Sequence, residues 1–315
     1  MGADTSRARF RGCLLGLAVG DALGAPFEGR TRVDPPAFDR WADAPQPLRW
    51  TDDTAMSVGV AQSLVECRGF DGAHMAETLA GVYEAEPWRG YGSGPPEVFA
   101  ALRRGAAWTE AAAGLFGGDG SFGNGGAMRA APVGLVAADR AEAVRLAHDQ
   151  AAITHAHALG RQGAAVQAVA VAWAAQAPGD ADPRGVLGEV RSAATAPPLV
   201  AALDRLAALG PDASPTSVAA ALGNGVAAVE AVPAALAAFL RHPRSLPEVV
   251  RTAVLIGGDT DTVAAMAGAV AGALLGEHAV PDRWRTRLEG ADHLVALADR
   301  LLDLREGRGS GVADV

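Results

Sequence analysis

Apolar residues recur along most of this chain at spacings of three and four, the period of a helix with one buried face. No stretch sustains the apolar–polar alternation of a half-buried strand. In residues 7–23, Phe10, Leu14, Leu17 and Ala18 fall on one face. Further helices are predicted over 53–67, 72–85, 97–104, 139–152, 157–177, 184–194, 197–209 and 246–254, from Asp261 to about 275, and over 287–305. A longer pattern over 215–240 is interrupted either at Gly223-Asn224-Gly225 or at Pro233. Between these lie an irregular stretch at 31–50 holding four prolines, a glycine-rich loop at 89–96, and a polar turn at 177–183. A second loop, at 114–127, holds seven glycines and runs into a helix. The helix after Asp261 is built almost wholly of Val, Ala, Gly, Met and Leu, which predicts burial at the centre of a larger bundle. The pattern as a whole predicts an all-α protein, one compact multi-helix domain over 1–305 with a polar tail at 306–315.

Composition sharpens this reading. Half of the 315 residues are apolar and only 5% are aromatic, while alanine is very abundant. Alanine has the highest helix propensity, and small side chains let helices approach closely. A net charge of −9 argues against non-specific attraction to a nucleic-acid backbone. The chain has no lysine, which removes Schiff-base and lysine-base mechanisms. The run Val263 to Leu275 comes nearest to a membrane span but is short and rich in Ala and Gly, so no membrane association is expected. Arg7, Arg9 and Arg11 precede an apolar run as in a signal peptide, but Asp21 interrupts that run and no small-residue cleavage site follows. Cys13 and Cys67 both fall in apolar helical patterns and are expected to be buried free thiols. A cytoplasmic monomer is the expectation.

The candidate chemistry lies in two acidic clusters about two hundred residues apart. One reads Thr51-Asp52-Asp53-Thr54, the other Gly257-Gly258-Asp259-Thr260-Asp261-Thr262, and each leads into an apolar run. Ser, Thr and Asp are also ordinary helix N-caps, and acids in a first turn suit the helix dipole, so either cluster alone reads as a capped helix start. Their duplication, their excess of acids over one cap's need, and the paired glycines point further. Carboxylates and hydroxyls are hard oxygen ligands suited to Mg²⁺, Mn²⁺ or Ca²⁺. Four carboxylates converging without a cation would raise one another's pKa. The glycine runs could expose backbone N–H groups to a phosphate or could be plain turns, and Gly223-Asn224-Gly225 reads as a turn.

Six stretches in order now carry a resemblance. They are Gly16-Leu17-Ala18-Val19-Gly20-Asp21-Ala22-Leu23-Gly24-Ala25-Pro26-Phe27-Glu28, Thr51-Asp52-Asp53-Thr54-Ala55-Met56, Arg89-Gly90-Tyr91-Gly92, Gly123-Asn124-Gly125-Gly126-Ala127-Met128-Arg129, Thr154-His155-Ala156-His157, and Gly257-Gly258-Asp259-Thr260-Asp261-Thr262. The chain resembles the ADP-ribosylglycohydrolases. That resemblance implies an all-helical fold around two divalent cations, Mg²⁺ or Mn²⁺, held by Thr51, Asp52, Asp53, Asp259, Asp261 and Thr262. It implies catalytic roles for Glu28, Asp53 and Asp261. It further implies that Gly123, Asn124, Gly125, Gly126, Ala127, Met128 and Arg129 cradle the diphosphate. Gly90, Tyr91, Gly92, Ser93, Gly94 and His155 become further ADP-ribose contacts. The expected reaction is hydrolysis of the C1″ bond between ADP-ribose and an acceptor. The alternatives are hydrolysis of a free derivative such as O-acetyl-ADP-ribose, or ADP-ribose binding without turnover.

Overall fold

Helices dominate because the apolar period is helical nearly throughout and helix formers fill the exposed faces. The computed structural model describes residues 3–210 and 212–309. Its α-helices are α1 (Ala3–Gly24), α2 (Pro35–Asp43), α3 (Asp52–Glu66), α4 (Gly72–Ala85), α5 (Gly94–Arg103), α6 (Gly125–Met128), α7 (Ala131–Val136), α8 (Arg140–Ala152), α9 (Ala158–Gln176), α10 (Val186–Ala193), α11 (Pro197–Ala208), α12 (Pro215–Leu222), α13 (Ala228–Arg241), α14 (Leu246–Ile256), α15 (Thr260–Leu275), α16 (Asp282–Arg285) and α17 (Ala291–Gly309). Among the described residues, β-structure is limited to two isolated bridges, Leu48 with Leu288 and Gly123 with Ala227.

The expected central helix is α15. Every residue from Thr260 to Leu274 is buried, with α1, α9, α13 and α14 packed around it. Its tightest partner is α1, and the reason is a stripe of glycines four residues apart. Gly12, Gly16 and Gly20 of α1 lie on Gly272, Gly268 and Ala264 of α15, running antiparallel. A methyl group on Gly16, Gly20 or Gly272 would overlap the partner's backbone. The two main chains therefore touch, an approach that only glycine permits and that suits weak Cα–H···O contacts. The same register brings the C-terminal end of α1 onto the N-terminal end of α15, where a Cβ on Gly24 would sit 2.5 Å from Cα of Asp261.

Several expectations need correction. The stretch at 31–50 is not wholly irregular: Pro35 and Pro36 open α2, and Asp34 caps it by accepting from Ala37 N at 3.2 Å. Proline is favoured in a first turn, where its missing N–H is not needed. The break in 215–240 falls after Leu222, at Gly223 with φ +83°, whereas Pro233 is absorbed within α13. Cys13 is buried as expected, but Cys67 is exposed beyond the end of α3. The helix nearest to a membrane span is α1 rather than 263–275; 83% of its apolar window is buried within the fold, as a core helix requires. Helix α17 continues to Gly309, inside the stretch read as tail, and 310–315 lie outside the described residues.

Candidate active site

Two helix N-termini and one helix C-terminus meet at the floor of a cleft of about 990 Å³, counting its open mouth. Helix α3 supplies Asp52 and Asp53 in its first turn, and α15 supplies Asp261 with Asp259 at its N-cap. Both are positive dipole ends, which favour carboxylates. Neither helix uses its own N-cap side chain. Helix α3 is instead capped by Asp21 from α1, whose carboxylate accepts from Thr51 N at 2.9 Å, Thr54 N at 3.0 Å and Thr54 Oγ1 at 2.6 Å. Asp21 is fully buried. In the sequence it stands out only as a polar interruption and as part of a motif. The available signal was an acid inside an otherwise apolar helix, which needs a partner when buried.

The two clusters are one site. Carboxylate oxygens of Asp21, Asp53 and Asp261 lie within 4.8 Å of one another, and so do those of Glu28, Asp259 and Asp261. Asp53 Oδ2 accepts from Thr51 Oγ1 at 3.2 Å and Thr262 Oγ1 at 3.4 Å, while its Oδ1 is buried with no hydrogen-bond partner. Burial, followed by repulsion from Asp21, Asp261, Asp52 and Asp259, holds the Asp53 carboxyl well above the usual carboxylate range. Burial and then Asp21 push Asp52 up to about 7, and burial and then Asp259 push Asp261 up to about 9. Burial raises Asp21 to about 6 against the pull of its hydrogen bonds. Partial burial, then Asp259, raise Glu28, which is exposed at the cleft mouth. An orphaned buried carboxylate oxygen among mutually repelling oxygen donors is the donor set that a hard divalent cation fits.

The loops around the floor are tied to it by backbone bonds. Gly258 N donates to Arg30 O and Gly29 N to Gly258 O, both at 2.8 Å, which holds Glu28 beside Asp259. Gly257 and Gly258 have φ of +79° and +76°, and a side chain on Gly258 would overlap the Asn224 carbonyl. The expected turn at Gly223-Asn224-Gly225 thus also buttresses the site, its Asn224 carbonyl accepting from Asp259 N at 2.9 Å. Asp52 N donates to Arg89 O at 2.8 Å, which sets the loop with Gly90, Tyr91, Gly92, Ser93 and Gly94 over the floor. Arg89 itself stacks 3.6 Å over Trp50 and pairs with Glu86 and Glu289.

Gly123, Asn124, Gly125, Met128 and Arg129 border the cleft, and Asn124 Nδ2 donates to Asp259. Thr51, Gly126 and Ala127 stand behind its wall: Thr51 holds Asp53, and Gly126 presses on Ala151 of α8. Arg129 and His155 are buried, linked through Thr154. Burial lowers Arg129 to about 10, and burial with the Arg129 cation lowers His155 to about 3, so the imidazole is neutral. The rim is apolar and exposed. Phe116 and Val226 line the cleft and stay more than half exposed, and Phe122 meets His157 edge-on at 5.9 Å. Phe116 has φ +52°, a left-handed conformation unusual for a bulky residue. Phe116 is not marked in the sequence, because nothing in a glycine-rich stretch shows which way one aromatic will face.

Known proteins share the sequence pattern and the fold of this chain. The family model described as ADP-ribosylglycohydrolase matches residues 2–311. Human ADP-ribosylhydrolase ARH3 is 36% identical over 342 aligned residues, covering 95% of this chain and 94% of its own. An uncharacterized protein of Archaeoglobus fulgidus is 34% identical over 306 residues, covering 94% and 96%. A solved ADP-ribosylglycohydrolase-related protein complex superposes with a TM-score of 0.76 at 29% identity, over 96% of this chain and 99% of that one. The chain belongs to the ADP-ribosylglycohydrolase family.

Proposed function

We propose that this cleft hydrolyses the C1″ bond of ADP-ribose attached to an acceptor, using two divalent cations, Mg²⁺ or Mn²⁺. The observation that carries the reading is the convergence of Asp52, Asp53, Asp259 and Asp261 on one cleft from two helix N-termini, with Asp53 Oδ1 lacking a partner. Family membership supplies the reaction class, hydrolysis of ADP-ribose glycosidic linkages. Thr51, Asp52, Asp53, Asp259, Asp261 and Thr262 would hold the cations. Bound there, such ions orient ribose hydroxyls and activate a water.

The remaining work falls to the chain's own residues. Glycoside cleavage passes through an oxocarbenium-like state and needs a proton carried to the leaving atom or taken from water. Glu28 suits that exchange: it stands at the mouth beside Asp259 and Asp261, and its raised pKa brings it nearer to neutral pH. The first N–H groups of α6, at Gly125 and Gly126, have no intrahelical acceptor and suit diphosphate oxygens. Phe116 offers an exposed ring for adenine. The acceptor would leave past the loop with Ser93 and Gly94.

The test is ADP-ribose release from arginine-, serine- and DNA-linked substrates and from O-acetyl-ADP-ribose, each with Mg²⁺, Mn²⁺ or EDTA. Release from one linkage, lost in EDTA, is the expected result and names the acceptor. Asp261→Ala should abolish turnover and lower the bound metal measured by elemental analysis. Near-normal activity in that variant would remove Asp261 from the site.

A further inference from the structure

Arg129 is 1% exposed, and its hydrogen bonds all go to neutral groups. Its Nε donates to Gln150 Oε1 at 2.9 Å, and its Nη2 donates to the Gln150 carbonyl at 3.1 Å and to Thr154 Oγ1 at 2.7 Å. A guanidinium can only donate, so Thr154 must accept from it. The same Thr154 oxygen lies 2.7 Å from Nδ1 of His155, also buried. A proton on Nδ1 would give Thr154 two donors and leave its own hydroxyl hydrogen without an acceptor in a dry setting. A bare Nδ1 accepts that hydrogen, and the Thr154 hydroxyl is then satisfied as both acceptor and donor. The imidazole is neutral, so its one proton sits on Nε2.

Nε2 lies on the edge of the ring that meets the glycine turn. A Cβ on Gly125 would stand 3.1 Å from it and 2.8 Å from Cε1, and a Cβ on Gly123 would stand 3.5 Å from it. Both positions are glycine, and His155, Gly123 and Gly125 all border the cleft.

We propose that Arg129 is a positioning residue. Acting through Thr154, it fixes His155 as the Nε2–H tautomer, which presents one neutral donor beside the Gly123-Asn124-Gly125 turn to an oxygen of a diphosphate-bearing ligand. The ligand half of this proposal rests on the reading of the cleft given above; the tautomer half does not. The hydrogen bonds of Arg129 run into the wall, and the neutral donor of His155 faces the ligand.

The test reads the ring nitrogens of His155 by ¹⁵N NMR in the ligand-free full chain, with the signals assigned through His155→Gln. The Nε2–H pattern is expected; an Nδ1–H or charged ring would overturn the proposal. Thr154→Val keeps the branched shape but removes the relay. It should mix the tautomers and weaken ADP-ribose binding by roughly two- to ten-fold, the worth of one hydrogen bond. Thr154→Ser should restore both. A shifted tautomer with unchanged ADP-ribose affinity would overturn the donor's role toward the ligand. If the wild-type chain binds no ADP-ribose, the nitrogen spectrum still decides the tautomer, and the reading of the cleft is what fails.

Discussion

The floor and the rim of the cleft are built by different physics. On the floor, helix ends carry the acids, and their positions follow from main chains in direct contact: Gly16 on Gly268, Gly20 on Ala264, Gly24 on Asp261. On the rim, loops carry exposed Phe116, Phe122 and Val226, and Phe116 holds a left-handed backbone. A floor fixed by backbone contact cannot drift without repacking the core. A rim made of loops can change its side chains at little cost to folding. The division predicts that chemistry is set by the floor and that the rim tunes which ligand is held, and it can be attacked from both sides.

The largest effect should come from forcing the floor apart. Gly16→Val places a branched side chain into the backbone of Gly268 at the middle of the α1–α15 contact. Overpacking of this kind costs about 3 kcal/mol or more. For a chain of this size that lowers Tm on the order of 10 °C. Thermal unfolding checks it, and a Tm within a degree or two of wild type would show that the two helices are not pinned where the contact places them.

Asp21→Asn is next. With the amide oxygen in the place of Oδ2, the NH2 would stand where Oδ1 accepts from Thr51 N, donor against donor, and one negative charge would be removed from beside Asp53 and Asp261. The weakened cap should cost about 1–3 kcal/mol. The loss of charge acts in opposite directions in the two states: it weakens cation binding but relieves repulsion among carboxylates. The drop in Tm should therefore be greater with Mn²⁺ than with EDTA, and titration calorimetry should show weaker Mn²⁺ binding. Equal drops under both conditions would make Asp21 a cap and nothing more.

How much of this could be read from the chain divides along the same line. The helices, the central position of α15 and the two acid clusters were legible because period, caps and acid excess are local signals. The contact between α1 and α15 was present as Gly12, Gly16, Gly20 and Gly268, Gly272, but glycine spacing names no partner. Asp21 was visible as a polar residue out of place, yet its donors lie thirty residues away in Thr51 and Thr54. Helix α2 was hidden by its prolines, since a proline that opens a helix and one that breaks it look alike until Asp34 is seen to cap. Phe116 carried no local signal, because exposure of a loop side chain is decided by the rest of the fold.

The floor also makes a prediction about pH. Asp261 is raised to about 9 in the folded chain, whereas an unfolded aspartate titrates near 4. A carboxyl raised on folding binds its proton more tightly in the native state. Its favourable contribution is full below the unfolded value and is lost as pH rises through the folded one. Asp261→Asn cannot ionise. In EDTA the Tm of wild type minus that of the variant should therefore fall as pH goes from 5 to 9. With Mg²⁺ or Mn²⁺ the difference should instead rise with pH, because cations bind the ionised form. A difference flat with pH in EDTA would mean that Asp261 is not the buried and repelled group its position among Asp259, Asp21 and Glu28 implies.

The smallest effect belongs to the rim. Phe116 is more than half exposed, so Phe116→Ala should leave Tm within a degree or two of wild type. If its ring covers the adenine, the loss should weaken ADP-ribose binding by about five-fold, the range of one aromatic contact. The effect should fall on KM and leave kcat near wild type, since the ring sits on the loop before α6 and the acids sit at the starts of α3 and α15. Phe116→Tyr should behave as wild type, because it keeps the ring. A Phe116→Ala variant that lost kcat as severely as Asp261→Ala would break the division, because a rim side chain would then be setting the geometry of the floor.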